Sequence, residues 1–292
     1  MLRQDDTINK SEIPVKIVYH SSFFSLFSKS SVDLVKNSEV LSTYHDVGLE
    51  VARGSFGRVR AFVNEQGEEI AVKSPIGMVY DPSDFDGVDL ISSQTFFQKA
   101  YPASLSSLTT WFGTFRQVMP KFPGVLLHQA LANPTQAYYL DVMLSVAKEL
   151  DRLHENNIVH GDIKTSNILV NGTDVYFIDF DFSYYADKLA TTTSVSHKTC
   201  QHWAPERTNT RRKIDASTNQ DVYSFAMLFD KRLLNKDFLD THIESYLDIY
   251  REQATSNPAC RPSLSTFIHA FEQFKAMQVQ EINLDKNNIK II

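Results

Sequence analysis

Apolar and polar residues alternate in several short runs along this chain and recur at helical spacing in fewer, longer ones. Ile13, Val15 and Ile17 alternate, which predicts a short strand that Pro14 confines to a sheet edge. Phe23-Phe24-Ser25-Leu26-Phe27 is too apolar to stay solvated and is expected to dock onto the domain C-terminal to it. Ser30 and Asp33 have capping-box spacing, which predicts a helix through about Leu41. From Val47 the pattern turns to strands: VGLEVARGSFGRVRAFV reads as strand, glycine turn, strand, and EIAVKS comes after the turn at 64–69 as a third. A helix is expected over 83–100, strands over 105–115 and 124–131, and a helix over 138–156. In that last helix Leu140, Met143, Leu144, Ala147, Leu150 and Leu153 keep one face apolar. Ile168-Leu169-Val170 and the run Val175 to Ile178 flank Asn171-Gly172, the signature of a β-hairpin.

The polar residues around that hairpin carry the candidate chemistry. His160, Asp162, Lys164 and Asn167 precede its first strand, and Asp179 ends its second. They therefore fall at the open ends of the hairpin, close together. Two carboxylates, an amide and an ammonium at one spot suit a divalent metal and a phosphate better than a core. Lys73 sits in an otherwise apolar strand, where a charge needs a partner.

Composition narrows the classes. The chain has 292 residues, enough for one large domain or two lobes, with 42% hydrophobic and 22% charged residues as in an ordinary globular protein. A net charge of −6 gives no support to nucleic-acid binding. Cys200 and Cys260 form no metal spacing and no disulfide scaffold, so a reducing, cytoplasmic setting is expected. No apolar run approaches the roughly 18 residues of a membrane span. The start, MLRQDDTINK, lacks the apolar core of a secretory signal, although a specialised export route is compatible with it.

The stretch HGDIKTSNILVNGTDVYFIDFD, residues 160–181, resembles the catalytic loop and metal-binding motif of the protein kinases, H-R-D-x-K-x-x-N followed by D-F-G. Gly161 stands where that family has Arg, and Asp181 where it has Gly. A-R-G-S-F-G-R-V resembles the family's glycine-rich loop, with Ala52 in place of the first Gly. Ala71-Val72-Lys73 resembles the strand that carries a phosphate-binding Lys. TCQHWAPE (199–206) is similar to the end of the activation segment, DVYSFAMLF to the buried helix whose Asp braces the catalytic loop, and Arg261 stands where an Arg pairs with Glu206.

The resemblance implies an α+β, bilobal kinase-like fold, with an antiparallel-sheet N-lobe carrying one helix and a mainly helical C-lobe. The expected division is an extension of unknown role at 1–45, the N-lobe at 46–127, the hinge and C-lobe at 128–276, and a C-terminal tail at 277–292. It implies ATP between the lobes, contacted by Gly54, Ser55, Gly57, Val59, Ala71 and Lys73, and by the hinge near His128 and Ala130. Asp162 would orient the substrate hydroxyl and accept its proton, and Lys164 would neutralise charge on the transferred phosphoryl group. Asn167 and Asp179 would hold Mg²⁺, or Mn²⁺ in its place. His160 and Phe180 are expected to pack beneath the loop, and Thr199 to pack against Asp162 and Lys164. For Asp181 the expectation is a solvated turn residue, with a water-mediated metal contact as the alternative. No Glu lies between Glu69 and Glu149, so Asp89 or Gln94 is left to take the helix Glu's place beside Lys73.

The function implied is an ATP- and Mg²⁺-dependent protein kinase acting on Ser/Thr hydroxyls of protein substrates; Lys164, two residues after Asp162, resembles the Ser/Thr branch. A pseudokinase acting as a binding module is one alternative, resting on Ala52, Asp181 and the missing helix Glu. A small-molecule kinase of the aminoglycoside or choline type is another, because those enzymes also carry H-G-D. A bacterial eukaryotic-like kinase acting on host proteins also fits.

Overall fold

In a computed structural model of the chain, the described residues are 15–20, 30–53, 57–75, 90–104, 106–111, 114–186, 189–191, 200–208, 213–215, 217–230 and 238–289. They form two compact units, one drawn from Met1–Pro82 and Ala103–Lys121, the other from Ser83–Pro102 and Phe122–Ile292.

The first unit is a single antiparallel sheet. Its strands are β1 (Lys16–His20), β2 (Ser31–Lys36), β3 (Glu39–Arg53), β4 (Gly57–Val63), β5 (Glu69–Pro75), β6 (Ser107–Trp111) and β7 (Thr114–Pro120), in the order β1-β2-β3-β4-β5-β7-β6. Ile17, Val32, Tyr44, Phe62, Ile70, Val72 and Val118 fill one face. The two edge strands approach each other: Thr109 Oγ1 on β6 donates to the Ile17 carbonyl on β1 at 3.4 Å, and the Arg116 guanidinium lies 4.3 Å from the centre of the Tyr19 ring. The sheet is therefore curled around its apolar face.

Two expectations change here. The helix over 30–41 is a hairpin. Asn37 and Ser38, at φ of 53° and 70°, make a two-residue turn of the kind that matches strand twist. Asp33 does not close a capping box; its carboxylate accepts from Thr43 at 2.7 Å and is bonded to His20 at 2.8 Å, both on neighbouring strands. Cross-strand partners thus outweighed a local capping signal. The border at 45/46 falls inside β3, so the described part of the N-terminal stretch is part of the sheet rather than an extension beside it.

The second unit is mainly helical. Its helices are α1 (Leu90–Ala100), α2 (Leu127–Ala130), α3 (Gln136–Glu155), α4 (Asn219–Met227), α5 (Thr241–Ala254) and α6 (Leu264–Ile289). Short strands accompany them: β8 (Val125–Leu126), β9 (Ile158–Val159), β10 (Ile168–Asn171), β11 (Asp174–Phe177), β12 (Tyr184–Tyr185), β13 (Leu189–Thr191) and β14 (Lys213–Asp215). Helix α3 buries the predicted apolar face, starting at a Thr135 side chain that accepts from the Tyr138 amide. The β10–β11 hairpin pairs Ile168–Asn171 with Asp174–Phe177, as the Asn171-Gly172 turn predicts.

Three borders move in this unit. Helix α1 groups with it rather than with the sheet, because Ser93, Phe96, Phe97 and Ala100 form a buried face at helical spacing. Phe97 meets Phe180 edge-on at 5.9 Å, and the Tyr101 hydroxyl just beyond the helix bridges both backbone groups of Phe177. The strand expected over 124–131 is only two residues long, and the segment around His128 and Ala130 is the short helix α2, where Gln129 Oε1 accepts from the Leu126 amide at 3.1 Å. The C-terminal border at 277 lies within α6, which runs on to Ile289.

Candidate active site

The catalytic-loop residues come together because one buried carboxylate holds their backbone. Asp221, in the first turn of α4 and fully buried, accepts from the amides of His160 at 2.7 Å and Gly161 at 2.9 Å and from His154 Nε2 at 3.1 Å. Burial alone would raise its carboxyl; the bonds from His154 and the Gly161 amide outweigh that and hold it below the usual carboxylate range.

His160 is fully buried, and both of its ring nitrogens are used. Nε2 bonds the Ile178 carbonyl at 3.1 Å, which can only accept, so Nε2 carries the proton. Nδ1 then receives the Asp162 amide at 3.2 Å. Burial pushes this imidazole below its ordinary value, in keeping with a neutral ring. Its role is packing and register, as expected from the sequence, and Phe180 lies against it at 4.9 Å.

Asp162 is 2% exposed and takes four side-chain donors. Lys164 Nζ at 2.7 Å and Asn167 Nδ2 at 2.8 Å meet Oδ2; His202 Nε2 and Trp203 Nε1, both at 2.8 Å, meet Oδ1. Burial would raise its carboxyl, yet the bonds from His202 and Lys164 and their charges hold it well below the usual carboxylate range. Asn167 also donates to the Asp162 carbonyl at 2.9 Å, and its own carbonyl accepts from the Ile178 amide at 3.0 Å, which ties the loop to the strand end before Asp179. Asp179 has left-handed backbone, φ 68°, at the start of the 3-10 turn Phe180–Phe182. Oxygen ligands from one carboxylate and one amide suit a hard divalent cation that takes its remaining ligands from phosphate and water. Among the described residues no cluster of three or more His, Cys, Asp or Glu offers a different metal site.

In the sheet unit, Val59 on β4 is the cross-strand partner of Lys73 on β5, and Ala71 is buried two residues before it. Gly57 opens β4, where an added Cβ would come within 2.9 Å of the Ser74 carbonyl oxygen and 3.6 Å of Lys73 Cε. Gly54, Ser55, Asp89 and Thr199 lie outside the described residues. Gln94 is half-buried on α1. His128 is exposed on α2 and Ala130 half-buried, in a short helix rather than the strand expected there.

Sequence reasoning missed four contributors. Gly161 has φ +78°, and a Cβ there would collide with the Phe182 carbonyl and come 3.0 Å from Arg207 Nη1. Arg207, 4% exposed and just after Glu206, occupies the space, donating to the carbonyls of Gly161 and Phe182 with its guanidinium 4.4 Å from the centre of the Trp203 ring. His202 and Trp203 are the second and third; their nearness to Ala204-Pro205-Glu206 in sequence was the available signal. Ser93 is the fourth: its hydroxyl donates to Asp181 Oδ1 at 2.9 Å. Asp181 is therefore buried and bonded to α1, not a solvated turn residue, because α1 packs on the turn that carries it. Ser93→Ala removes a bond to a charged acceptor and is expected to lower stability by about 1.5–3 kcal/mol. Hydrogen exchange should show the loss concentrated in α1.

Glu206 and Arg261 pair as the sequence implies. Both guanidinium Nη atoms meet the carboxylate, at 2.5 and 2.9 Å, and Nη1 also donates to the Asn219 carbonyl at 2.9 Å. The Arg261 side chain is fully buried. Arg261→Ala breaks a charged hydrogen-bonded pair whose Glu206 end is 29% exposed to water, and is expected to cost roughly 1.5–3 kcal/mol in urea unfolding.

The protein kinase domain model matches residues 111–279, more than half of the chain. The chain belongs to the protein kinase family. Its relatives include an inactive leucine-rich repeat receptor-like serine/threonine-protein kinase of Arabidopsis thaliana, 31% identical over 36% of the chain, and the KEOPS complex subunit Bud32 of Pyrococcus abyssi, 36% identical over 25% of it. A protein of Acanthamoeba polyphaga mimivirus described as a serine/threonine-protein kinase is 33% identical over 41% of the chain. The matched stretches cover 17, 33 and 43% of those three proteins' own lengths. Kinase domains use ATP and a divalent metal in general, and the antiparallel sheet and helical unit are the two parts of this α+β fold. Among the described residues of this kinase domain, no helix is long and apolar enough to cross a membrane.

Proposed function

We propose that this kinase domain transfers the γ-phosphoryl group of ATP, with Mg²⁺, to Ser/Thr hydroxyls of protein substrates. The observation that carries the reading is Asp162: a buried, ionised carboxylate with Lys164 and Asn167 on one oxygen, on a loop braced by Asp221. In this reading Asp162 orients the acceptor hydroxyl and takes its proton, and Lys164 offsets charge on the moving phosphoryl group. Asn167 and Asp179 hold the metal, which when bound neutralises phosphate charge. Gly57, Val59, Ala71 and Lys73 belong to the nucleotide side, where close backbone approach and one ammonium serve the phosphates. The Ser/Thr assignment is supported by Lys164 two residues after Asp162 and by the wording used for the mimivirus relative.

The test is labelled phosphate. The full chain with γ-labelled ATP, Mg²⁺ and a degenerate Ser/Thr peptide library should label Ser or Thr and lose that activity on chelation. Label confined to aminoglycoside or choline would contradict the protein-substrate reading. A second reading, a binding module without turnover, is favoured by one observation: Asp181 replaces a glycine and is bonded to α1. ATP with Mg²⁺ would then raise the melting temperature while no acceptor is labelled.

A further inference from the structure

A carboxylate offers about four lone-pair sites, and Asp162 has a donor for each. An acceptor hydroxyl can reach it only where one donor leaves. The four are not equally free to do so. Lys164, whose side chain is 38% exposed, is the most accessible and has work elsewhere, on the phosphoryl group. Asn167 is anchored at the Asp162 carbonyl but bonds the same oxygen. The exposed Lys164, and not the anchored Asn167, therefore makes Oδ2 the exchangeable side.

Oδ1 differs. Trp203 is 2% exposed, meets Phe182 edge-on at 5.1 Å, and is covered by the Arg207 guanidinium, which itself bonds the Gly161 and Phe182 carbonyls. His202 lies beside it and bonds the same oxygen. Because an ionised carboxylate only accepts, His202 Nε2 carries the proton of that bond. The buried indole is thus a fixed donor, and the imidazole, 23% exposed and edge-on to it at 5.9 Å, joins it on the same oxygen, both brought by the segment next to Ala204-Pro205-Glu206.

Resting on the kinase reading above, the geometry points to His202 and Trp203 as the positioning residues of Asp162. They clamp Oδ1 so that Oδ2 is the oxygen presented to the acceptor hydroxyl. In the transfer, the acceptor oxygen bonds the γ-phosphorus as the bond to the ADP leaving oxygen breaks, and the hydroxyl proton passes to Oδ2. Neither His202 nor Trp203 touches a reacting atom; both act by fixing the carboxylate's rotation. A side chain that sets the angle of the attacking group acts on turnover rather than on nucleotide affinity.

The experiment compares kcat and the KM for ATP in the full chain, with γ-labelled ATP, Mg²⁺ and a degenerate Ser/Thr peptide library. Misplacement of a catalytic group costs about 10²-fold, so His202→Ala is expected to lower kcat by that order with the KM for ATP unchanged. His202→Gln, whose amide nitrogen reaches about as far as Nε2, should recover most of the loss. Trp203→Phe keeps an aromatic ring against Phe182 but deletes the N–H together with part of the indole volume, so a fall in kcat of about tenfold, the effect of roughly 1.4 kcal/mol, is expected with the KM for ATP unchanged. An unchanged kcat in His202→Ala and Trp203→Phe overturns the inference while leaving the kinase reading intact. So does a Gln variant as impaired as Ala, or a rise in KM at constant kcat. A wild-type chain that labels no acceptor overturns the kinase reading itself and this inference with it.

Discussion

Asp162→Ala is expected to lower phosphate transfer by about 10²–10⁴-fold, the usual contribution of a positioned proton acceptor, while the domain stays folded. The carboxylate collects all four donors of its surroundings, so its removal deprives Lys164, Asn167, His202 and Trp203 of a common partner at once. The loop itself survives because its backbone hangs on Asp221 and not on Asp162. Asp162→Asn keeps the shape but turns an NH₂ toward two of those donors, and is expected to fail equally. Incorporation of label from γ-labelled ATP measures the first effect, and circular dichroism with thermal melting checks the second. Wild-type rates in both variants would sink the role given to Asp162. Its bonds and neighbouring charges hold the carboxyl below the usual carboxylate range and so keep it ionised, as a group that orients the acceptor and stabilises charge requires.

Asp221→Ala is expected to be the most destabilising single change in the catalytic core, at roughly 3–5 kcal/mol. Two backbone amides and the His154 ring lose their acceptor inside a region without water access, and buried donors left unpaired carry the full desolvation penalty. His160 and Gly161 are the residues released, so activity should fall together with stability. Urea unfolding gives the size, and the match between the two losses identifies the brace. Unchanged unfolding in Asp221→Ala would remove it. The same group predicts acid sensitivity. Its folded value lies below the unfolded one of about 3.9, so its stabilisation is complete above that range and is lost as pH falls through the lower folded value. His160, pushed down by burial, adds an earlier component, because the unfolded imidazole begins to bind protons below about pH 6.5 while the native one stays neutral. Stability is therefore expected to decline in two stages on acidification, and His160→Gln should remove the first.

Local chemistry was readable where the information is local. Helix α3 follows from six apolar residues on one face, and the β10–β11 hairpin from Asn171-Gly172 between two apolar runs. The grouping of Asp162, Lys164 and Asn167 follows from their short separation ahead of that hairpin. Glu206 and Arg261, 55 residues apart, were legible only through the family resemblance. The capping-box reading of Ser30 and Asp33 failed because Asp33 found Thr43 and His20 across strands. The strand expected through 128–130 is the short helix α2 instead, because four residues carry no period long enough to be recognised.

The residue types and spacings of HGDIKTSN and DFD specify which groups stand at the centre, because catalytic loops and hairpins fold from neighbours in sequence. Which donors those groups meet was a matter of packing between distant segments. Ser93 reaches Asp181 across 88 positions, and His202 and Trp203 reach Asp162 across 40 and 41. Such bonds depend on helix α1 and the segment before Ala204 being folded onto the loop, and no local pattern in either stretch encodes that approach. The odd residues Gly161 and Asp181 gain their meaning in the same way: one leaves room for Arg207, and the other takes a hydrogen bond from α1.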